Sequence, residues 1–100
     1  MVTKEEFFKK IDDISNPIKS LRGKEYVEIK RNRNFCYGVR KDEKTSFEID
    51  LDLLYKAYED NNELKTTSKD LESFKKAQCC SPAIAILMAT GLLKNGKTIK

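Results

Sequence analysis

The chain has no histidine and no tryptophan, and only four glycines, two prolines and three cysteines in 100 residues. Each shortage removes a class of chemistry. Without histidine the commonest general base and metal ligand is missing, so no enzymatic activity is expected. The four glycines form no phosphate-cradling loop, and no G-x-S-x-G nucleophile elbow occurs. Cys36, Cys79 and Cys80 are odd in number and two are adjacent, which argues against a disulfide framework and for a reducing, cytoplasmic compartment. Adjacent cysteines are poorly placed to share one tetrahedral ion, and a fourth ligand of the usual kind is lacking. No metal and no cofactor are expected. The longest apolar run, Pro82 to Leu93, has Thr90 as its only polar side chain. It is far shorter than the ~20 residues that a bilayer requires, so no membrane partner is expected. The opening MVTKEEFFKK is broken by acidic residues and does not read as a secretory signal.

What is present is charge and periodicity. Hydrophobic residues make up 39% and charged residues 36%, a balance that fits one small soluble domain. The net charge of +4 is concentrated between Arg22 and Lys44, where eight basic residues face four acidic ones. The remainder of the chain is neutral.

Thr3-Lys4-Glu5-Glu6 has the form of a capping box, and Phe7, Phe8, Ile11 and Ile14 follow at helical spacing. Ser15-Asn16-Pro17 ends that helix, because a residue before proline avoids helical angles. Ile18 and Leu21 are expected to pin the connection to the core. From Lys24 the period becomes two, which predicts strands around 24–30, 35–40 and 46–51 joined by turns at 31–34 and 41–45. The alternation places Val27, Ile29, Phe35, Tyr37, Val39, Phe47, Ile49 and Leu51 on the core face. Tyr26, Glu28, Lys30, Cys36, Gly38, Arg40, Ser46, Glu48 and Asp50 fall on the solvent face. Asp50 is a plausible cap for a helix through Leu54, Tyr55 and Tyr58; Thr66-Thr67-Ser68 introduces a short one carrying Leu71 and Phe74. Ser81 at the cap with Pro82 at the first helical position starts the last helix, and Gly91 ends it. The expected class is α+β, in the order α-βββ-α-α-α, with residues 1–94 as one domain and 95–100 as a basic tail in which Asn95-Gly96 makes a turn and the end either frays or adds a short strand.

The apolar last helix has two readings. As the central helix of a small domain it would be covered on every side. Alternatively one face, carrying Ile84, Ile86, Leu87, Leu92 and Leu93, meets a second copy or a larger protein partner. It does not read as a DNA-recognition helix, which presents polar side chains to base edges.

The basic stretch gives the leading functional expectation. Arg31 and Arg33 sit at a hairpin tip, Arg22 and Lys24 precede the first strand, Lys30 lies on it, and Arg40 and Lys41 end the second. These seven residues are candidates for phosphate contacts to DNA or RNA. The expected solvent face itself is slightly acidic and offers only Tyr26 for base stacking, so the contacts are expected at the tip and strand ends. Glu28-Ile29-Lys30 matches the E-x-K element of restriction-type nucleases, where a strand Glu and an upstream Asp hold magnesium. There the acidic partner comes from the preceding strand, whereas Asp12 and Asp13 lie on the opening helix. The expectation is a small bacterial or phage-like nucleic-acid-binding accessory protein; the alternative is a protein-interaction module, as a homodimer or as an inhibitor or adaptor of a larger complex.

Overall fold

The capping box forms as written. In the computed structural model, which describes residues 1–100, Glu6 N donates to Thr3 Oγ1 and Thr3 N to the Glu6 carboxylate, both at 3.2 Å. Helix α1 (Lys4–Asp12) follows and buries Phe7 and Ile11. The chain then enters an antiparallel sheet of β1 (Ile18–Lys19), β2 (Glu25–Asn32), β3 (Phe35–Arg40) and β4 (Ser46–Asp50), in that spatial order. The meander thus has four strands rather than the expected three. The added strand is two residues long and pairs Ile18 with Tyr26 and Lys19 with Glu25. Ile18 is buried as expected, but Leu21 points to water and is 72% exposed.

The phase of the sheet differs from strict alternation. Glu28 adopts φ 56°, and the β2–β3 register shifts between Val27 and Lys30, so Glu28 and Ile29 together oppose Gly38. This is a β-bulge, and one inserted residue transfers every later side chain to the other face. Tyr26 and Ile29 therefore both point inward, and Val27 and Lys30 outward. The bulge frees the Ile29 amide from the ladder, and Asn16 Oδ1 accepts from it at 2.8 Å. On β3 the buried positions are Cys36 and Gly38, not Phe35, Tyr37 and Val39. Gly38 is required by its neighbour: a Cβ there would sit 2.4 Å from Phe47 Cζ and 2.7 Å from Ile29 Cδ1. The Phe47 ring lies across the bare backbone and meets the Tyr26 ring edge-on, centroids 5.6 Å apart. Phe47, Ile49 and Leu51 face inward as expected.

Helix α2 (Leu51–Asp60) is capped by Asp50 Oδ1, which accepts from Asp52 N at 2.9 Å and Leu53 N at 3.3 Å. A 3₁₀ turn (Lys69–Leu71) leads into α3 (Glu72–Lys76), which buries Phe74. Helix α4 spans Cys80–Ala89, so Ser81 and Pro82 lie within its first turn and Ser81 is not the cap. Proline is tolerated there because first-turn amides have no intrahelical partner. Gly91 at φ 79° closes the helix as expected, with Leu92 N reaching Leu87 O at 3.1 Å.

The apolar run is the centre of the molecule. Ile84, Ile86 and Leu87 are 0–2% exposed, and Leu92 and Leu93 are 4% and 3% exposed. Its surroundings are β1, α3 and the short strand β5 (Leu93–Lys94). Full burial of such side chains contributes about 1.5–3 kcal/mol each. Of the two expected forms of the basic tail, residues 95–100 adopt the added strand rather than fraying. Asn95-Gly96 turns the chain into β6 (Lys97–Thr98), Tyr58 Oη donates to Ile99 O at 2.7 Å, and Thr98 Oγ1 donates to Asn61 O at 2.6 Å. No helix is long and apolar enough to cross a membrane.

Candidate nucleic-acid interface

The seven basic candidates fall into two groups at opposite ends of the sheet, since eight residues of β2 at ~3.3 Å each separate Arg33 from Lys24 by roughly 25 Å. At the tip, Arg31 is committed to the fold. Its Nε and Nη2 donate to the two Asp12 oxygens at 2.8 and 2.9 Å, and its Nη1 donates to Arg33 O. The guanidinium also lies 4.9 Å over the Phe8 ring. This bidentate pair holds the Asp12 carboxyl below its usual range. Arg31 is thereby a tie between β2 and α1, which corrects its expected place among freely presented phosphate-gripping cations. Arg33 is exposed, at φ 57°, and makes no ion pair; Lys30 is exposed on the outer face beside Tyr37. The tip therefore presents two separated free cations rather than a cluster.

The other end is built differently. The β1–β2 turn is closed by Ser20, whose Oγ accepts from Lys24 N at 3.1 Å and whose carbonyl accepts from Gly23 N at 3.0 Å. This turn holds Arg22 and Lys24 out in solvent, with no ion pair on either. Lys41 pairs with Glu25 at 2.9 Å. Arg40 is opposite Tyr26 on the inner face, only 24% exposed, and reaches Glu43 at a long 3.4 Å.

Between this turn, the sheet and the start of α4 lies a cavity of about 370 Å³. Arg22, Lys24 and Arg40 line it, with Ser20, Thr66 and Ser81, and no carboxylate does. Leu21, Tyr26 and Ile84 complete the lining; Tyr26 is wholly buried, and its hydroxyl has no hydrogen-bond partner. Burial pushes the Tyr26 phenol up, Arg40 and the nearby Ser20 hydroxyl pull the other way, and Asp42 and Glu43 add to the rise. Ser20 approaches Tyr26 without hydrogen-bond geometry, so the orphan status of the hydroxyl stands. The first turn of α4 adds the amides of Cys80 and Ser81, which have no backbone acceptor, and no side chain caps that helix. Ser20, Tyr26, Thr66 and Ser81 were absent from the sequence-based candidates, because four separate segments bring them together.

The outer face of the sheet is uncovered. Val27, Phe35 and Val39 are half-buried but stand outside the core cluster, and Tyr37 is 38% exposed. Two aromatic rings therefore occupy the face where alternation placed Tyr26 alone. The expected interface residues Ile84, Ile86, Leu87, Leu92 and Leu93 are in the core and present no surface on this chain. The E-x-K fragment straddles the bulge, its upstream Asp12 is engaged by Arg31, and no three His, Cys, Asp or Glu side chains converge. The thiols are free and shielded: burial pushes Cys36 up to about 12 and raises Cys79 and Cys80 as well. Comparison with protein-family models, curated proteins and solved structures finds no match.

Proposed function

We propose that the chain is a non-catalytic, cytoplasmic nucleic-acid-binding accessory protein whose phosphate contacts come from the Arg22–Lys24 end of the sheet. One observation carries this reading: Arg22 and Lys24 are exposed, form no ion pair, and line one cavity together with Arg40. Cations without partners in the fold release counterions on meeting a phosphate backbone, whereas Arg31 would first have to leave Asp12. Lys30 and Arg33 add weaker, more distant contacts. Three unpaired thiols agree with a reducing compartment.

The test is fluorescence anisotropy with labelled single-stranded and duplex DNA and RNA over a range of salt. Binding should fall steeply with salt. The Arg22→Ala/Lys24→Ala double variant should flatten the log–log salt slope by about 1.4–1.8, the loss of two phosphate contacts. Absence of salt-dependent binding to every one of these nucleic acids rejects the reading.

A second reading rests on the open sheet face, where Val27, Phe35, Tyr37 and Val39 form an apolar strip suited to a second copy of the chain. Light scattering would then give a mass that rises with concentration and returns to monomer in Val39→Glu. A constant monomer mass rejects it.

A further inference from the structure

We propose that the cavity at the start of α4 is a binding site for a single phosphate group, filled by the terminal phosphomonoester of a nucleic-acid strand. The inference rests on the phosphate-contact reading above and gives that surface a specific ligand. Three cations line the cavity and no carboxylate does; the nearest acids stand outside it, Glu43 reaching Arg40 at 3.4 Å and Glu25 and Asp42 lying beside Arg22 and Lys24 on the adjoining surface. The cavity's donors converge from independent elements. Ser81 brings the start of α4 to the cavity wall, with an amide that has no backbone acceptor and the positive end of the helix dipole. Ser20, Thr66 and Ser81 add hydroxyls, and Arg40, which reaches Glu43 only at 3.4 Å, adds a guanidinium.

The Tyr26 hydroxyl is the second line of argument. A fully buried donor without a partner is rare in a folded protein and calls for a specific reason. This one lies near Ser20 and Arg40, both of which line the cavity, with Asp42 and Glu43 acting on it from outside the lining. An oxyanion there gives the phenol the acceptor that the fold withholds. Size and surroundings select the source. A cavity of about 370 Å³ admits a phosphate and its first waters, not a continuous duplex. Leu21, 72% exposed beside Arg22, offers an apolar contact to the terminal nucleoside. A free anion would make no use of it.

The experiment compares an eight-nucleotide single strand carrying a 5′-phosphate, a 3′-phosphate or only hydroxyl ends, by anisotropy with the full chain. Inorganic phosphate is titrated in parallel and followed through the amide resonances of Cys80 and Ser81. One terminal phosphate should raise affinity about tenfold over the hydroxyl strand, the yield of a charged hydrogen bond. Tyr26→Phe, which keeps the ring, should remove most of that preference without weakening the hydroxyl strand. Arg22→Ala, on an exposed turn, should remove it as well. Equal wild-type affinity for all three strands overturns the terminal-phosphate site while leaving salt-dependent binding, and hence the broader reading, intact. Inorganic phosphate shifting both amides while no strand binds overturns the strand-end assignment and the nucleic-acid reading together.

Discussion

Replacing Tyr26 by phenylalanine should make the protein more stable, contrary to the usual outcome of altering a fully buried residue. The change removes one oxygen and leaves the ring in its edge contact with Phe47, centroids 5.6 Å apart. The hydroxyl is buried with no partner, so the folded state bears a desolvation cost that the unfolded chain avoids. Such costs run to about 1–3 kcal/mol. The nearby Ser20 hydroxyl softens the environment, which puts the expected gain near the lower end, about 1 kcal/mol. For a domain of this size that gain corresponds to a Tm about 4–8 °C higher. In urea, with m of ~1–3 kcal/mol/M, the midpoint should rise by roughly 0.3–1 M. The assay is urea unfolding followed by circular dichroism, in buffer free of phosphate and sulfate because a ligand of the native state would stabilise the wild type selectively. Adding phosphate should narrow the gap by raising the wild type alone. A Tyr26→Phe variant that is less stable than wild type by about 1 kcal/mol would show that the hydroxyl is satisfied within the fold, and the reasoning would fail.

Three further outcomes follow from the packing and electrostatics. Gly38→Ala places a methyl 2.4 Å from the Phe47 ring and should cost about 1–3 kcal/mol by urea titration; a change within ±0.5 kcal/mol would mean that the ring moves aside freely. Asp12→Asn should destabilise by about 1 kcal/mol or less, since the pair is partly exposed, and should do so only above the acid range. The Arg31 hydrogen bond depresses the folded-state pKa of Asp12 below 3.8, so the wild-type advantage is present above the unfolded value and disappears as pH falls through the folded one. An Asp12→Asn deficit that persists undiminished at pH 2 would contradict this. The three thiols should react with a disulfide reagent at pH 8 only as fast as the protein opens, because all are buried and burial raises each pKa. Rapid labelling of the native chain at any one of them would refute the packing around it.

Local signals were legible in the sequence, and long-range ones were not. The Thr3–Glu6 box, the Asp50 cap and the Gly91 helix end depend on residues within a few positions of each other, and all three form. The lack of any polar face left the last helix either central or at an interface, and its packing against β1, α3 and β5 decides for the centre. The inward face of β3 was misread because Phe35, Tyr37 and Val39 outweigh Cys36 and Gly38 in hydrophobicity. The actual phase is decided by Phe47 crossing Gly38 and by Asn16 holding the Ile29 amide, contacts that no local period encodes. Arg31 resembled its neighbours in sequence; only the approach of α1 brings Asp12 to it. The terminal hairpin is likewise held by distant groups, Tyr58 and Asn61 among them. Composition showed where the positive charge is concentrated, Arg22 to Lys44, while tertiary structure determined which of those cations remain free.

The central claim is that phosphate is met at the Arg22–Lys24 end and not at the hairpin tip or the open sheet face. The most direct measurement is a ¹H–¹⁵N NMR titration of the full chain with a 5′-phosphorylated single strand. The largest shifts are expected at residues 20–24, at Arg40, and at Cys80 and Ser81, with little change at Arg31, Arg33, Tyr37 and Val39. Shifts concentrated at residues 30–39, with the α4 start unmoved, would contradict it.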